Sequence, residues 1–195
     1  TQNLPRPVVN QAGTYTVLIT NTGNTCTATA DALVVSDSIA PVANAGTSQI
    51  IDCAHSMVPI GGNSSSGVNI KYLWTGPDIN TGNEALPSLN VAIPGSYELQ
   101  VTNQTNGCIA LSNVDIAEDL NYPVADAGVD TVITCQNPLI ALDASASSNG
   151  NGIQILWAGQ SITPANEASL TPDVALADAY ILTVTNTVNS CVSKD

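Results

Sequence analysis

Basic side chains are scarce in this sequence. Only 3 of the 195 residues are Lys or Arg, against 16 Asp or Glu, and the formal net charge is −13. Nucleic acids and anionic membrane surfaces both bind proteins through basic faces, so the composition excludes both as partners. Apolar runs long enough to cross a bilayer are also lacking, which predicts that no segment inserts into a membrane. Charged residues make up only 10% of the chain, so it is not a disordered polyacid either.

Catalytic and metal-binding side chains are equally sparse. His55 is the only histidine, so a Ser-His-Asp set cannot recur along the chain, and no Cys-x-x-Cys pair is present to bind zinc. Glu84 and Glu167 stand in equivalent Asn-Glu-Ala sequences, but one acid at each place is not a pair of catalytic carboxylates. No glycine-rich phosphate loop stands between a strand and a helix. The sequence therefore predicts that the protein is not an enzyme.

The sequence does contain a duplication. Pro41–Gly46, with the sequence PVANAG, returns as Pro123–Gly128, with the sequence PVADAG. Single residues return in the same phase: Tyr15, Tyr97 and Tyr180; Cys26, Cys108 and Cys191; Cys53 and Cys135; and Trp74 and Trp157. The period is about 82 residues, and a fixed period of this size indicates an array of small domains.

The period divides the chain into one complete unit and two incomplete ones. Residues 41–122 form the complete unit, residues 1–40 align with its C-terminal half, and residues 123–195 form a unit that lacks its last strand. A half unit would expose an apolar face and open strand edges, so we expect something to cover it. The predicted partners are other copies of the protein in a filament or bundle, or neighbouring repeats of the same long chain.

Alternation of apolar and polar residues predicts antiparallel strands. The residues expected to face inward in the three copies are Tyr15, Val17 and Ile19; Tyr97, Leu99 and Val101; and Tyr180, Leu182 and Val184. Within the last unit, strands are also predicted over residues 130–134, 139–142 and 154–157. No segment shows helical periodicity over ten residues. Short strands separated by turn sequences predict an all-β antiparallel sandwich.

These motifs together resemble a known family. The last unit is similar to PKD-like, immunoglobulin-like repeats. The similarity lies in PVADAG followed by a second aspartate, then Cys135, LDAS at 142–145, Trp157 and the run from Tyr180 to the late cysteine of the unit, Cys191. Gly95–Cys108 resembles more narrowly a run in the repeats of large secreted surface adhesins, of the gliding-adhesin type, in Bacteroidota. The resemblance implies tandem Ig-like/PKD-like antiparallel β-sandwich repeats of about 82 residues.

The resemblance also implies a function in adhesion. We expect an extracellular structural protein, secreted or attached to the cell surface: a segment of a long stalk, fibre or filament that holds an adhesive tip away from the cell. The alternative is a carbohydrate-binding accessory module of a secreted protein, which would need aromatic side chains outside the core, with Tyr72 and Tyr122 as candidates. The chain departs from the family pattern at Gly61–Gly62 and at Asp178–Ala179.

Five cysteines recur in phase with the duplication, which predicts disulfides and an oxidising compartment. Cys53 and Cys108 lie within one unit, as do Cys135 and Cys191, and the two separations are nearly equal, so we expect two bonds within units. Each would stabilise its unit by about 4 kcal/mol. Cys26 is unpaired because the first half of its unit is absent. The alternative is five reduced, buried cysteines.

Acidic and amide side chains cluster around the two linkers between units. The candidate ligands for Ca²⁺ at these joints are Asp37, Asn44, Glu118, Asp119, Asp126 and Asp130. Calcium needs six to eight oxygen ligands at one point, and a bound ion would stiffen the joint. The alternative is a solvated acidic loop, and no other cofactor is predicted.

Aromatic and hydroxyl side chains complete the set of candidates. Trp74 and Trp157 are expected in the cores of their units, with a carbohydrate-stacking platform as the alternative. Ser38 and Thr131 stand in Asp-Ser/Thr-apolar tripeptides and are candidates for O-glycosylation. Two Asn-x-Ser/Thr sequences, beginning at Asn63 and Asn103, match the N-glycosylation rule.

Overall fold

The computed structural model describes residues 5–61 and 65–195, and these residues form β-strands without any helix. The strands in those ranges are β1 Gly13–Thr20, β2 Thr27–Val34, β3 Gln49–Asp52, β4 Val58–Gly61, β5 Ile70–Thr75, β6 Ser88–Val91, β7 Gly95–Asn103, β8 Ile109–Asp119, β9 Ile140–Ala141, β10 Ile153–Ala158, β11 Asp173–Val174, β12 Ile181–Asn186 and β13 Val192–Lys194. The predicted all-β class is confirmed. No helix with the length and apolarity to cross a bilayer occurs in the described part of the chain.

The first two strands form an isolated antiparallel hairpin. β1 and β2 pair along their whole length, from Gly13 opposite Val34 to Thr20 opposite Thr27. Tyr15 is half-buried, but Val17 is 52% exposed and Ile19 is 64% exposed. The inward orientation predicted for these two residues is therefore wrong here. The reason is that the hairpin is a single layer, and none of the other sheets in the described residues lies over its apolar face.

The middle segment, residues 41–122, contains two sheets around one core. Its larger sheet has the strand order β3-β8-β7-β5, and β4 pairs with β6 in a second, two-stranded sheet. Both sheets contribute side chains to one buried cluster, including Ile60 from β4, Trp74 from β5 and Val91 from β6. The alternation predicted for β7 is confirmed, because Tyr97 and Leu99 are both fully buried.

One pairing in this segment determines the geometry of its joint with the last segment. β3 and β8 are parallel, so Gln49 lies beside Ile116 and Asp52 lies beside Asp119. The end of β3 is therefore next to the end of β8, where the chain leaves the middle segment for the last one.

The last segment, residues 123–195, is built in the same way from fewer strands. β10, β12 and β13 form an antiparallel sheet in that order, and β9 pairs with β11. Trp157, Leu182 and Val184 belong to its buried core. The predicted strands over 139–142 and 154–157 are confirmed by β9 and β10.

The strand predicted over residues 130–134 is not formed. In the middle segment the equivalent strand, β3, pairs only with the second half of β8, Ile116–Asp119. By the spacing of the duplication, the residues equivalent to that half would come after Asp195, beyond the residues that the structure describes. Residues 130–134 thus lack the partner that would supply their ladder hydrogen bonds.

Gly61, one of the departures from the pattern of PKD-like repeats, lies where neighbouring atoms leave no room for a side chain. Gly61 ends β4 with a φ of +79°, and a Cβ added there would lie 2.9 Å from the Trp74 ring and 2.7 Å from the carbonyl oxygen of Pro87. Only glycine fits this position without a shift of its neighbours. Gly62, Asn63 and Ser64 lie outside the described residues.

Candidate cross-linked joint

A disulfide joins the middle segment to the last one. Cys53, just after β3, is bonded to Cys191, just before β13, and their Cα atoms are 5.0 Å apart. The bond spans 138 residues of sequence. Cys26 and Cys135 are free and exposed, and Cys108 is free and half-buried.

This pairing corrects the prediction of one bond within each unit. Because β3 is parallel to β8, Cys53 lies at the end of β8, whereas Cys108 comes just before its beginning. The eleven residues of β8 separate the two places, which at roughly 3.3 Å per residue is about 36 Å. Cysteines can be bridged only when their Cα atoms are within about 7 Å. The predicted pairs Cys53–Cys108 and Cys135–Cys191 are therefore not formed, although the predicted presence of a disulfide is confirmed.

Asn189 closes the same joint by hydrogen bonds. Its Nδ2 donates to Asp119 Oδ1 at 2.9 Å and to the Asn121 carbonyl oxygen at 3.1 Å. Its own carbonyl oxygen accepts a hydrogen bond from the Cys53 amide at 3.2 Å. Asn189 is only 2% exposed, so one side chain of the last segment is buried against both the linker and the end of β3.

The loop that carries Cys191 is held by its own asparagine. Asn189 Oδ1 accepts a hydrogen bond from the Cys191 amide at 3.0 Å, and Ser190 between them has a φ of +60°. Asx-type bonds of this kind fix tight turns and tolerate the left-handed conformation. The same side chain therefore shapes the cysteine loop and binds the neighbouring segment.

The loop that carries Cys53 is held by Asp52. Asp52 Oδ1 accepts hydrogen bonds from the amides of His55 at 2.7 Å and Ala54 at 2.9 Å, and the Asp52 amide donates to the His55 carbonyl oxygen at 3.1 Å. Partial burial raises the pKa of Asp52, but the hydrogen bonds from His55 and Ala54 outweigh it, so the pKa lies below its ordinary value. The carboxylate stays ionised and keeps the loop in place.

Asp119 is the charged member of the joint. The hydrogen bond from the Asn189 side chain, followed by those from the Asn121 amide and side chain, holds the pKa of Asp119 below its ordinary value. Charge-assisted hydrogen bonds are stronger than neutral ones, so the ionised form favours the closed joint.

The joint between the hairpin and the middle segment repeats this arrangement. Asn106 Nδ2 donates to Asp37 Oδ1 at 2.9 Å and to the Ile39 carbonyl oxygen at 3.0 Å. Asn106 Oδ1 accepts a hydrogen bond from the Cys108 amide at 2.9 Å. Unlike Asn189, Asn106 is only half-buried, because in the part of the chain that the structure describes no cysteine loop like that of Cys53 lies over it.

The structure does not gather the candidate calcium ligands into one site. Asp37 and Asp119 accept hydrogen bonds from asparagine side chains. Asn44 Oδ1 accepts a hydrogen bond from the Gly46 amide at 2.8 Å, and Asp126 Oδ1 accepts one from the Gly128 amide at 2.9 Å. Glu118 and Asp130 are exposed. Across residues 5–61 and 65–195, no three His, Cys, Asp or Glu residues form a group that could hold a metal ion. A calcium ion at the joints stays a prediction from the sequence.

The candidate modification sites differ in exposure. Ser38 and Thr131 are both exposed, as acceptors of a glycan must be. Asn103 is only 7% exposed, and its Oδ1 accepts a hydrogen bond from the Thr105 amide at 2.9 Å. The other amide acceptor, Asn63, lies outside the described residues.

Both tryptophans lie in the cores, as predicted. Trp74 is 1% exposed and its indole donates to the Leu86 carbonyl oxygen at 2.9 Å, while Trp157 is 3% exposed and donates to the Ser169 carbonyl oxygen at 3.0 Å. Tyr72 packs against the core of the middle segment. Tyr122, at 63% exposed, is the one aromatic candidate that offers its ring to solvent in the described ranges.

The residues that sequence reasoning missed are Asn106 and Asn189. The signal was present, because an asparagine stands two residues before each late cysteine, at Asn24, Asn106 and Asn189. Comparison of the chain with protein-family models finds no match, and comparison with curated proteins finds none either.

Proposed function

We propose that the protein is a segment of an extracellular structural or adhesive array: a stalk, fibre or filament of immunoglobulin-like, PKD-like sandwich repeats that holds an adhesive tip away from the cell. Its partners in this proposal are neighbouring repeats of the same kind, in one long chain or in other copies. The middle segment is the complete repeat, and residues 1–40 and 123–195 are parts of two others.

The Cys53–Cys191 bond is the observation that carries the proposal. It connects two successive segments in addition to the linker peptide, so the segments are restrained by two covalent connections instead of one. Flexible strings of domains do not need such a restraint, whereas a rod that transmits tension does. Disulfides also persist mainly in oxidising compartments, which supports an extracellular location.

Side chains suited to the alternative function are few in the described ranges. A carbohydrate-binding module stacks sugars on exposed aromatic rings, and both tryptophans are instead occupied in the cores. Tyr122 alone, near the linker, is a weak basis for such a module. The acidic surface, with a net charge of −13, fits a structural role in a medium rich in cations.

Immunogold labelling of the source cells, with antibodies against the folded full chain, tests the proposal. We expect gold particles along extended structures outside the cell envelope. Labelling confined to the cell interior would refute the extracellular role. A glycan-binding screen of the full chain separates the two functions, because strong and selective binding would favour the carbohydrate-binding module.

A further inference from the structure

We propose that Cys108 and Cys135 each form a disulfide with another repeat of the same kind, in the same geometry as the Cys53–Cys191 bond. The early cysteines are those at the repeat position of Cys53 and Cys135, and the late cysteines are those at the position of Cys26, Cys108 and Cys191. Cys108 would bond to the early cysteine of another repeat, and Cys135 to the late cysteine of another. The inference deepens the proposed function and rests on its tandem arrangement of repeats.

The late-cysteine loops have the same conformation wherever they occur. In each, the asparagine Oδ1 accepts a hydrogen bond from the cysteine amide, at 3.1 Å for Cys26, 2.9 Å for Cys108 and 3.0 Å for Cys191. The residue between them is left-handed each time, with φ values of +61°, +77° and +60°. Cys108 is thus held in the geometry that Cys191 has in the completed bond.

The early-cysteine loops match as well. In the Cys53 loop, the Asp52 amide donates to the His55 carbonyl oxygen at 3.1 Å, and in the Cys135 loop the Thr134 amide donates to the Asn137 carbonyl oxygen at 3.0 Å. Each loop also has a side-chain oxygen that accepts from the fourth residue: Asp52 Oδ1 from His55 at 2.7 Å, and Thr134 Oγ1 from Asn137 at 3.0 Å. Cys135 is therefore presented as Cys53 is, but it is exposed.

The joint next to Cys108 is already closed by the hydrogen bonds that accompany the disulfide elsewhere. Asn106 binds Asp37 and Ile39 at 2.9 and 3.0 Å, and Asn189 binds its two partners at 2.9 and 3.1 Å. What the joint at Cys108 lacks is the loop of an early cysteine. A repeat whose front half packed on the hairpin would bring that loop to Cys108.

The hairpin has the surface that such a front half would cover. Val17 and Ile19, exposed here, are equivalent to Leu99 and Val101, which are fully buried under the β4–β6 sheet and Trp74 in the middle segment. In the middle segment, β4 and Trp74 of this cover belong to residues 41–82 and only β6 follows them, so a segment equivalent to residues 41–82 would supply most of the cover. The same segment would carry the missing cysteine, so one partner accounts for both the apolar face and the free thiol.

The bond requires a disulfide oxidant. Each of the two thiols loses a proton, and the pair transfers two electrons to a second disulfide, such as that of oxidised glutathione, which is reduced to two thiols. The sulfur–sulfur bond of the oxidant breaks as the new one forms, through a mixed disulfide.

The test adds the missing front half to the full chain. A copy of residues 41–82 is fused before Thr1, so that the residues aligned with 83–122 follow it directly, and the protein is refolded with reduced and oxidised glutathione. Non-reducing peptide mapping should recover the added copy of Cys53 bonded to Cys108, with Cys53–Cys191 retained. The matched control carries Cys53→Ser in the added copy only, and its Cys108 should remain open to alkylation by iodoacetamide.

A second fusion tests Cys135 independently at the other end. A copy of residues 113–195 placed after Asp195 completes the last unit and adds a further one, and its late cysteine should bond to the original Cys135. Alkylation of Cys108 or Cys135 to the same extent in the fusions as in the parent chain would overturn the inference. A fusion less stable than the parent would also contradict it, because the added residues should bury the exposed apolar face. Neither result would affect the immunogold test of the proposed function.

Discussion

Replacing Cys53 with serine should release the last segment from the middle one. The substitution removes the sulfur–sulfur bond and leaves the Cys191 thiol in a place that is fully buried in the native protein. The hydrogen bonds of Asn189 to Asp119 and Asn121 are left as the non-covalent links of the joint. We therefore expect a protein that still folds but is less stable.

The size of the loss follows from the length of the closed loop. For 138 residues, the chain-entropy relation gives about 5 kcal/mol when the two segments unfold together. If only the last segment unfolds, the tether runs from the end of the middle segment to Cys191, about 70 residues, and the figure is about 4 kcal/mol. Either value is a large part of the roughly 5–15 kcal/mol that holds a typical domain folded.

Urea unfolding of the parent and of Cys53→Ser, followed by tryptophan fluorescence, measures this loss. With a slope of roughly 2 kcal/mol per molar urea, the midpoint should fall by about 2 M. Trp157 lies in the last segment and Trp74 in the middle one, so Trp74→Phe and Trp157→Phe backgrounds report which segment unfolds first. Cys26→Ser, which removes an exposed free thiol, is the matched control and should leave the midpoint unchanged.

Reduction of the parent protein provides an internal check. Dithiothreitol should lower the parent's midpoint to that of Cys53→Ser and leave the midpoint of the variant where it was. Equal midpoints for parent and variant under oxidising conditions would show that the bond does not restrain the joint, and the argument from the closed loop would then fail.

Three further predictions concern the cores and the joint. Gly76→Ala should lower the free energy of unfolding by about 2 kcal/mol more than Gly13→Ala does. The two glycines have similar φ values, +153° and +155°, but only at Gly76 would the added Cβ overlap a side chain, the Tyr97 ring. Equal losses of stability in thermal unfolding would argue against the overlap. Tyr97→Phe removes a hydrogen bond of 2.6 Å from a buried ring and should lower the free energy of unfolding by about 1 kcal/mol. Tyr15→Phe, in the uncovered hairpin, should lower it less, and the reverse order of the two losses would contradict this prediction. Because hydrogen bonds lower the pKa of Asp119 below 3.8, its contribution to stability is complete above that pH and is lost as the pH falls through the lowered pKa. The stability of Asp119→Asn should therefore depend less on pH between pH 4 and 2. An acid transition unchanged from that of the parent would count against this role.

Interior positions were predictable because the duplication and the strand alternation agree on them. Trp74 recurs as Trp157, and Tyr97 and Leu99 recur on the inward side of a period-two pattern; all three are buried. The tyrosine hydroxyls follow the same repeat, because Tyr97 and Tyr180 donate to carbonyl oxygens four residues upstream, at 2.6 and 2.7 Å. Local sequence is sufficient for such contacts, because they depend on one strand and its turn.

The disulfide was mispredicted because its geometry depends on strand direction. Sequence separation alone favours a pair within one unit, and nothing in the residues near Cys53 reveals that β3 runs parallel to β8. The same dependence explains residues 130–134, whose strand character is clear in the sequence but whose ladder partner lies outside the described residues. The exposed Val17 and Ile19 are a third case, since burial requires a second layer that alternation cannot supply.

The position of the Cys53–Cys191 bond has a mechanical consequence. When the chain is pulled by its two ends, the force passes from residue 53 to residue 191 through the sulfur atoms and bypasses the peptide between them. Extension of those 138 residues would otherwise add about 480 Å of contour length, at roughly 3.5 Å per residue. Nearly all of both tryptophan-centred cores lies inside the bypassed stretch, so a pull strong enough to open the terminal hairpin would leave them folded.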